Sequence, residues 1–470
     1  MKNFTMRKRK SIDFNVDLLS GNILKSLMIF AIPILISNVF QQLYNTMDTM
    51  IVGNYLGDIS LAAIGACAAI YELMVGFSIG IGNGLSIVTA RAYGSDDNKL
   101  LKKSVAGSLV IGVFVTMIIM FISAVFLFPL LEILNTPVEI INEAYSYIST
   151  VTLFVGVTFF YNLFAGFLRA IGNSFMPLIF LILSSVVNIF LDILLITQFN
   201  MGIKGAAIAT VIAQVISCLL CIVYIYKNAK ILIPSKEHFT FDKELYKELL
   251  GQGLSMGLML SIVSTGTVIL QTAINKLGYL IIAGHVAARK LSSFFAMPYS
   301  TFAMAIATFV SQNKGSGNRD RIKKAVKYAM IFSIVCAALS ALLLYFIAPA
   351  MVKILSGSSE LIVIENGSRY LIINSLFYGV LGMLLCLRSA LQGLGRKVIP
   401  LISSIIEFFG KIVFVILFIP SLEYFGVIIC EPVIWCLMCI QLIYAFYTTP
   451  YIRNGVDDKS LDTLKDKSVG

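Results

Sequence analysis

The chemistry of this chain rests on a few acids and amides set inside long apolar runs. Asp48 ends the stretch Gln41-Gln42-Leu43-Tyr44-Asn45-Thr46-Met47-Asp48, and Tyr44, four residues back, shares its helical face. Asp192 has Asn188 one turn behind it, while Thr210 and Gln214, again four apart, form a polar stripe in the next apolar run. Low dielectric favours the neutral form of a carboxyl, so each aspartate could carry a proton. Asp192 with Asn188 and Thr210 equally offers the hard oxygen ligands that a sodium ion takes. Structural acids hydrogen-bonded at helix interfaces are the plainer reading. Gln41, Tyr44 and Asn45 are the residues expected to meet a solute.

The second half of the chain carries different groups. Glu407 and Lys411 stand at i, i+4, a spacing that pairs charges along one helix, and Arg388 is a second partner for Glu407. This set reads as a structural or gating salt bridge. Glu431 opens the last apolar run, with Trp435 after it placed as a membrane-interface residue. Pro33 removes a helix hydrogen bond fifteen residues before Asp48 and gives that helix a place to bend.

The elements that position these groups must be membrane-spanning. Of 470 residues, 58% are apolar and 13% charged, and the mean hydropathy is +0.89. An ordinary soluble domain has about a quarter of its residues charged. With about 20 apolar residues needed per crossing, twelve spans are expected: 27–52, 60–88, 105–129, 143–168, 176–197, 205–226, 247–273, 281–309, 325–350, 364–388, 398–419 and 424–447. None alternates with period two, which argues against a β-barrel.

The net charge of +11 sets topology and does not imply nucleic acid. Lys2, Arg7, Lys8, Arg9 and Lys10 precede the first run and read as a retained cytoplasmic segment. The loops on the same side hold Lys99, Lys102 and Lys103, Lys227 to Lys247, Lys314 to Lys327, and Arg396 with Lys397; the other side holds Lys204, Lys276, Lys353 and Arg369. A multi-pass protein of the cytoplasmic membrane with both termini inside is expected. All eight cysteines lie in apolar runs and read as small buried side chains, including the pairs Cys218/Cys221 and Cys436/Cys439.

The chain also repeats itself. Asn54-Tyr55-Leu56-Gly57 matches Asn275-Lys276-Leu277-Gly278 at an offset of 221, as do Gly94-Ser95 with Gly315-Ser316 and Lys102-Lys103 with Lys323-Lys324. Gly172 with Pro177-Leu178 matches Gly395 with Pro400-Leu401 at 223. The expected fold is an all-α membrane protein of twelve transmembrane helices in two pseudo-symmetric six-helix lobes. Six being even, the repeats are parallel. The divisions are 1–226 for the N-lobe, 227–246 for a cytoplasmic linker, 247–447 for the C-lobe and 448–470 for a cytoplasmic tail. The joining stretch from Phe241 to Gly253 reads as a short amphipathic surface helix entering span seven.

No phosphate-binding loop is present, so uphill transport would draw on an ion gradient. With only His238 and His285 and no paired catalytic motif, an enzyme is not expected.

Together Ile32-Pro33, Gln41-Gln42, Met47-Asp48-Thr49, Val52-Gly53, Leu56-Gly57, Ala92-Tyr93-Gly94-Ser95, Leu168-Arg169-Ala170-Ile171-Gly172-Asn173, Asn188 with Asp192, and Gly205-Ala206-Ala207 with Thr210 resemble the multidrug and toxic compound extrusion (MATE) family. The resemblance runs from about Leu19 to Tyr447. It implies a secondary active antiporter that exports organic cations or amphiphilic drugs in exchange for H+ or Na+ by alternating access, without a cofactor. It maps the family's N-lobe cation site onto Asp48, Asn188, Asp192 and Thr210, with Tyr44 beside it, and Pro33 onto the family's bending proline. A NorM-type C-lobe site needs acids that 249–273 and 371–390 lack, so a DinF-like, N-lobe-coupled arrangement is implied. The expected assembly is a monomer in the lipid bilayer. The alternative is a flippase or exporter of a lipid-linked saccharide or another amphiphilic metabolite; a pyrophosphate-bearing lipid would favour a basic cavity.

Overall fold

The structure, a computed structural model, describes residues 14–134 and 136–455. The basic segment around Lys2 to Lys10 and the tail beyond Gly455 lie outside the described residues. Among the described residues there is no strand. Ten of the twelve principal helices are α1 (Ile23–Leu56), α2 (Asp58–Gly94), α3 (Asn98–Ile133), α4 (Val138–Leu153 and Val155–Ala170, bent by 46°), α5 (Phe175–Gln198), α6 (Gly202–Asn228), α7 (Lys243–Leu277), α8 (Tyr279–Gly315), α9 (Arg319–Ser356) and α10 (Leu361–Gly393).

The last helical stretch, Val398–Thr448, has 51 residues. At 1.5 Å per residue it would measure about 76 Å, more than twice the hydrocarbon core. Glu423, with φ 50°, breaks it, giving α11 (398–422, with a π turn Phe414–Phe418) and α12 (424–448). The twelve apolar runs coincide with these helices to within a few residues. At the basic-loop end the helices overrun the apolar runs because polar side chains cap them: Asp97 accepts from the Lys99 and Leu100 amides, and Asp242 from that of Leu245. The segment expected as a separate surface helix before span seven is therefore the opening of α7 itself. Helix α1 continues unbroken through Pro33.

The sequence repeat is a repeat of turns. Gly57 and Gly278 (φ 83° and 98°) turn α1 into α2 and α7 into α8, a backbone conformation only glycine adopts at no steric cost.

We call α1–α6 the N-lobe and α7–α12 the C-lobe. They interlock in the half that carries the basic loops. Leu27, Phe30 and Ile34 of α1 pack into the core of the C-lobe, and Leu245 and Leu249 of α7 into that of the N-lobe. The repeat mates Gly94 and Gly315 lie against each other: a Cβ on Gly94 would stand 2.0 Å from the Gln312 carbonyl oxygen, and one on Gly315 2.1 Å from that of Arg91. Equivalent residues can touch in this way only beside the pseudo-twofold axis. Around them Gln312 donates to the Ala170 carbonyl at 2.8 Å and Gln252 to that of Gln392 at 3.2 Å. Glu248 bridges Arg91 (2.7 Å) and Lys397 (3.3 Å). The lobes are thus closed on one another at the basic end.

Candidate functional site

The N-lobe lines an open cavity of about 200 Å³ in the half away from the basic loops. Helix α1 contributes Tyr44, Asn45, Asp48 and Thr49, α2 Cys67, Ala68 and Tyr71, α4 Tyr147 and Thr158, and α6 Thr210 and Gln214. Asp48 and Asp192, which are 144 residues apart, bring their carboxyls within hydrogen-bonding reach of one another. Two ionised carboxylates only accept, so a proton or a cation between them is what would join this pair. Among the described residues neither aspartate has a Lys, Arg or His partner within 4.0 Å. One Oδ1 of each is buried with no hydrogen bond.

The helix period supplies the rest of the site. Asn188, one turn before Asp192 and fully buried with it, turns its amide nitrogen to Asp192 Oδ2 at 3.0 Å and accepts from the Thr210 backbone N–H at 3.2 Å. This orientation satisfies both ends of the amide. Tyr44 Oη donates to Thr210 Oγ1 at 3.4 Å, and Thr158 Oγ1 donates to Gln214 Oε1. Asp48, Tyr44, Asn188, Asp192 and Thr210 are therefore gathered into one polar cluster. Its oxygen atoms suit a proton or a small hard cation. Asn45 lines the same cavity, and Gln41, whose amide reaches Asn45 Oδ1 at 3.4 Å, lines a second, narrower one beside Asn188 and Gln214. Pro33 borders a recess at the basic end, away from the acids.

In the C-lobe, Lys411 Nζ is 2.9 Å from Glu407 Oε1 and donates to Thr267 Oγ1 at 3.1 Å, while Arg388 lies 3.9 Å from Glu407. A further pair went unforeseen in the sequence: Arg289 Nη1 meets Glu431 Oε1 at 2.7 Å, and Tyr370 donates to Glu431 Oε2 at 3.1 Å. Trp435, expected as a membrane-interface residue, is packed inside the C-lobe. The break at Glu423 places it three turns into α12, where it is buried and packs near Tyr378.

The family model MatE matches this chain twice, over residues 33–194 and 256–417. The chain belongs to the MatE family. The double match falls on the two lobes, and the MatE assignment makes the chain a membrane transporter and not an enzyme. It is 27% identical over 433 residues to the probable multidrug resistance protein YoeA of Bacillus subtilis (strain 168), covering 90% of this chain and 93% of that one. To the multidrug export protein MepA of Staphylococcus saprophyticus it is 22% identical, covering 90% and 92%. Among solved structures, the outward-facing conformation of a multidrug resistance MATE family transporter of the MOP superfamily superposes with a TM-score of 0.86 at 21% identity, covering 95% of this chain and 100% of that one. MATE in the bent conformation gives 0.84, also at 21% identity, covering 97% and 99%.

The sequence reading of this MatE chain passed over Glu72 and gave Lys290 no role. Glu72 lies within the second apolar run and Lys290 within the eighth, and both side chains are exposed. The cost of a charge inside a span, which singles out Asp48, applies equally to Glu72.

Proposed function

We propose that this transporter is a secondary multidrug exporter of the cytoplasmic membrane, with both termini inside. In this reading it moves small organic cations or amphiphilic drugs outward in exchange for H+ or Na+ taken up at Asp48 and Asp192. The observation that carries the reading is the carboxyl pair without a cationic partner. Such a pair accepts either a coupling ion or a positively charged solute, and competition for that charge links the two fluxes. The names of the relatives support export of drugs. Asn188 and Thr210 position Asp192, Tyr44 holds Thr210, and Gln41 and Asn45 meet the solute beside Asp48. Pro33 gives α1 a point of bending as the site fills and empties. One charge crossing 100 mV supplies about 2.3 kcal/mol, or roughly fortyfold accumulation of solute.

The test is efflux of a fluorescent lipophilic cation from vesicles, with the proton and sodium gradients collapsed separately. Wild type is expected to lose efflux with one gradient, which names the ion. Asp48→Asn and Asp192→Asn are expected to insert normally and to lose at least about tenfold in rate. Full activity in both variants would overturn the coupling assignment and turn attention to a lipid-linked substrate.

A further inference from the structure

Glu72 and Lys290 are ionisable, lie within spanning helices and, among the described residues, make no ion pair or side-chain hydrogen bond. Both lie on the face their helix presents to the other lobe. On α8, Thr301 accepts from Asn38 of the N-lobe at 2.8 Å. Lys290 is eleven residues earlier, three turns at 3.6 per turn and so on the same face, about 16 Å further toward the non-basic end. Ala283, Val286, Lys290 and Ser293 form an exposed stripe there at helical spacing.

On α2, Glu72, Gly76 and Gly80 stand at i, i+4 and i+8, with the Glu72 carboxylate lying along Gly76. Gly80 packs so closely on α7 that a Cβ would stand 2.7 Å from the Gly257 Cα. Exposure on an inter-lobe face means that the lobes have parted at that level, so both charges line the cleft. The cost of an unpaired charge in hydrocarbon argues against a lipid-facing position.

The two positions correspond in the repeat. At an offset of 221, Lys290 is the mate of Ala69 and Ser293 that of Glu72, so charges of opposite sign stand within a turn of each other on paired helices. Glu72 lies one turn from Ala68, which lines the Asp48 cavity, and opens a π turn, Glu72–Gly76, a distortion frequent at functional sites. The other C-lobe cations named above, Arg289, Arg388 and Lys411, have acid partners. The N-lobe wall is therefore acidic, and the C-lobe wall presents an unneutralised ammonium.

We propose that Glu72 and Lys290 are the two poles of a substrate site for amphoteric amphiphiles, in which a cationic nitrogen faces Glu72 and a carboxylate faces Lys290. This deepens the export reading by naming the class of solute. The ligand bridges the lobes, and its negative group lies away from the acids of the coupling site. A cation of the same shape with its carboxylate blocked engages only Glu72.

Rhodamine 110, with a free carboxylate, and rhodamine 123, its methyl ester, share one ring system and differ in that group. Their binding to full-length protein in nanodiscs is read by fluorescence anisotropy. Wild type is expected to bind both dyes, and Lys290→Gln to weaken rhodamine 110 by about tenfold, the scale of one charge-assisted contact, with the ester changed less than about twofold. Lys290→Arg should retain the preference, and Glu72→Gln should weaken both dyes. Equal effects of Lys290→Gln on the two dyes, wild-type preference for the ester, or binding of neither dye would overturn the proposal. So would restoration of both affinities by the exchange Glu72→Lys with Lys290→Glu, since that outcome marks an ion-pair gate. Vesicle efflux of the ester with Asp48→Asn tests the coupling reading separately: its failure leaves the binding pattern intact, and the converse also holds.

Discussion

Asn188 spends both ends of its amide on the site, one on Asp192 and one on the Thr210 backbone, so it holds α5 against α6 at the depth of the acid. Asn188→Ala removes both bonds and should lower efflux in wild type, with little further effect in Asp192→Asn, because the two residues act as a unit. Efflux rates of the two single variants and the double variant check this. The C-lobe pair behaves differently. Lys411 has only 2% of its side chain exposed and Glu407 12%, and removing one partner of a buried ion pair costs about 3–5 kcal/mol. Glu407→Gln is therefore expected to lower the Tm of the purified protein clearly, and the double change Glu407→Gln with Lys411→Met to recover much of the loss. A destabilised single variant without that recovery would argue against the pair as the cause.

At the scale of elements, the glycine contact between α2 and α8 controls closure of the basic end. Any side chain at Gly94 or Gly315 meets backbone at 2.0 to 2.1 Å, and backbone cannot give way as a flexible side chain can. Gly94→Val and Gly315→Val should hold the lobes apart there. Spin labels at Lys99 and Lys324, in the first turns of α3 and α9 at the basic end of the two lobes, would report a longer distance, and an unchanged distance would show that the helices slide instead. Much of this level was legible in the sequence. Hydropathy marks the twelve spans, and the matched Gly57 and Gly278 mark the same turn in each half. The i, i+4 rule also joins Asp192 with Asn188 and Glu407 with Lys411, since both partners ride on one helix. Contacts between helices leave no such periodic trace: Asp48 meets Asp192 across 144 residues, and Arg289 meets Glu431 across 142.

For the whole molecule, the distribution of Lys and Arg predicts one orientation. A cysteine placed at Ser358, on the loop between α9 and α10, should react with a membrane-impermeant thiol reagent in intact cells. One placed at Asp97, between α2 and α3, should react only after the cells are opened; the reverse pattern would invert the topology. The native cysteines complicate such labelling little, since five of the eight are buried and the other three are only partly exposed. The same asymmetry of charge places the Glu248 bridge to Arg91 and Lys397 on the cytoplasmic side in this orientation. Its loosening then belongs to the step that opens the cleft inward.

The Gly94–Gly315 contact joins equivalent positions, so the seam between the lobes has the self-complementary geometry of a twofold homodimer. A true homodimer would carry the same ion site, the same salt bridges and the same cleft charge on both sides. Joining the halves in one chain keeps the seam symmetric and lets the interiors diverge, which is how one lobe can hold bare acids while the other neutralises most of its own charges. The two kinds of residue are consequently bound by different rules of inheritance: a change at the seam must suit both halves at once, whereas a change inside a lobe answers to that lobe alone.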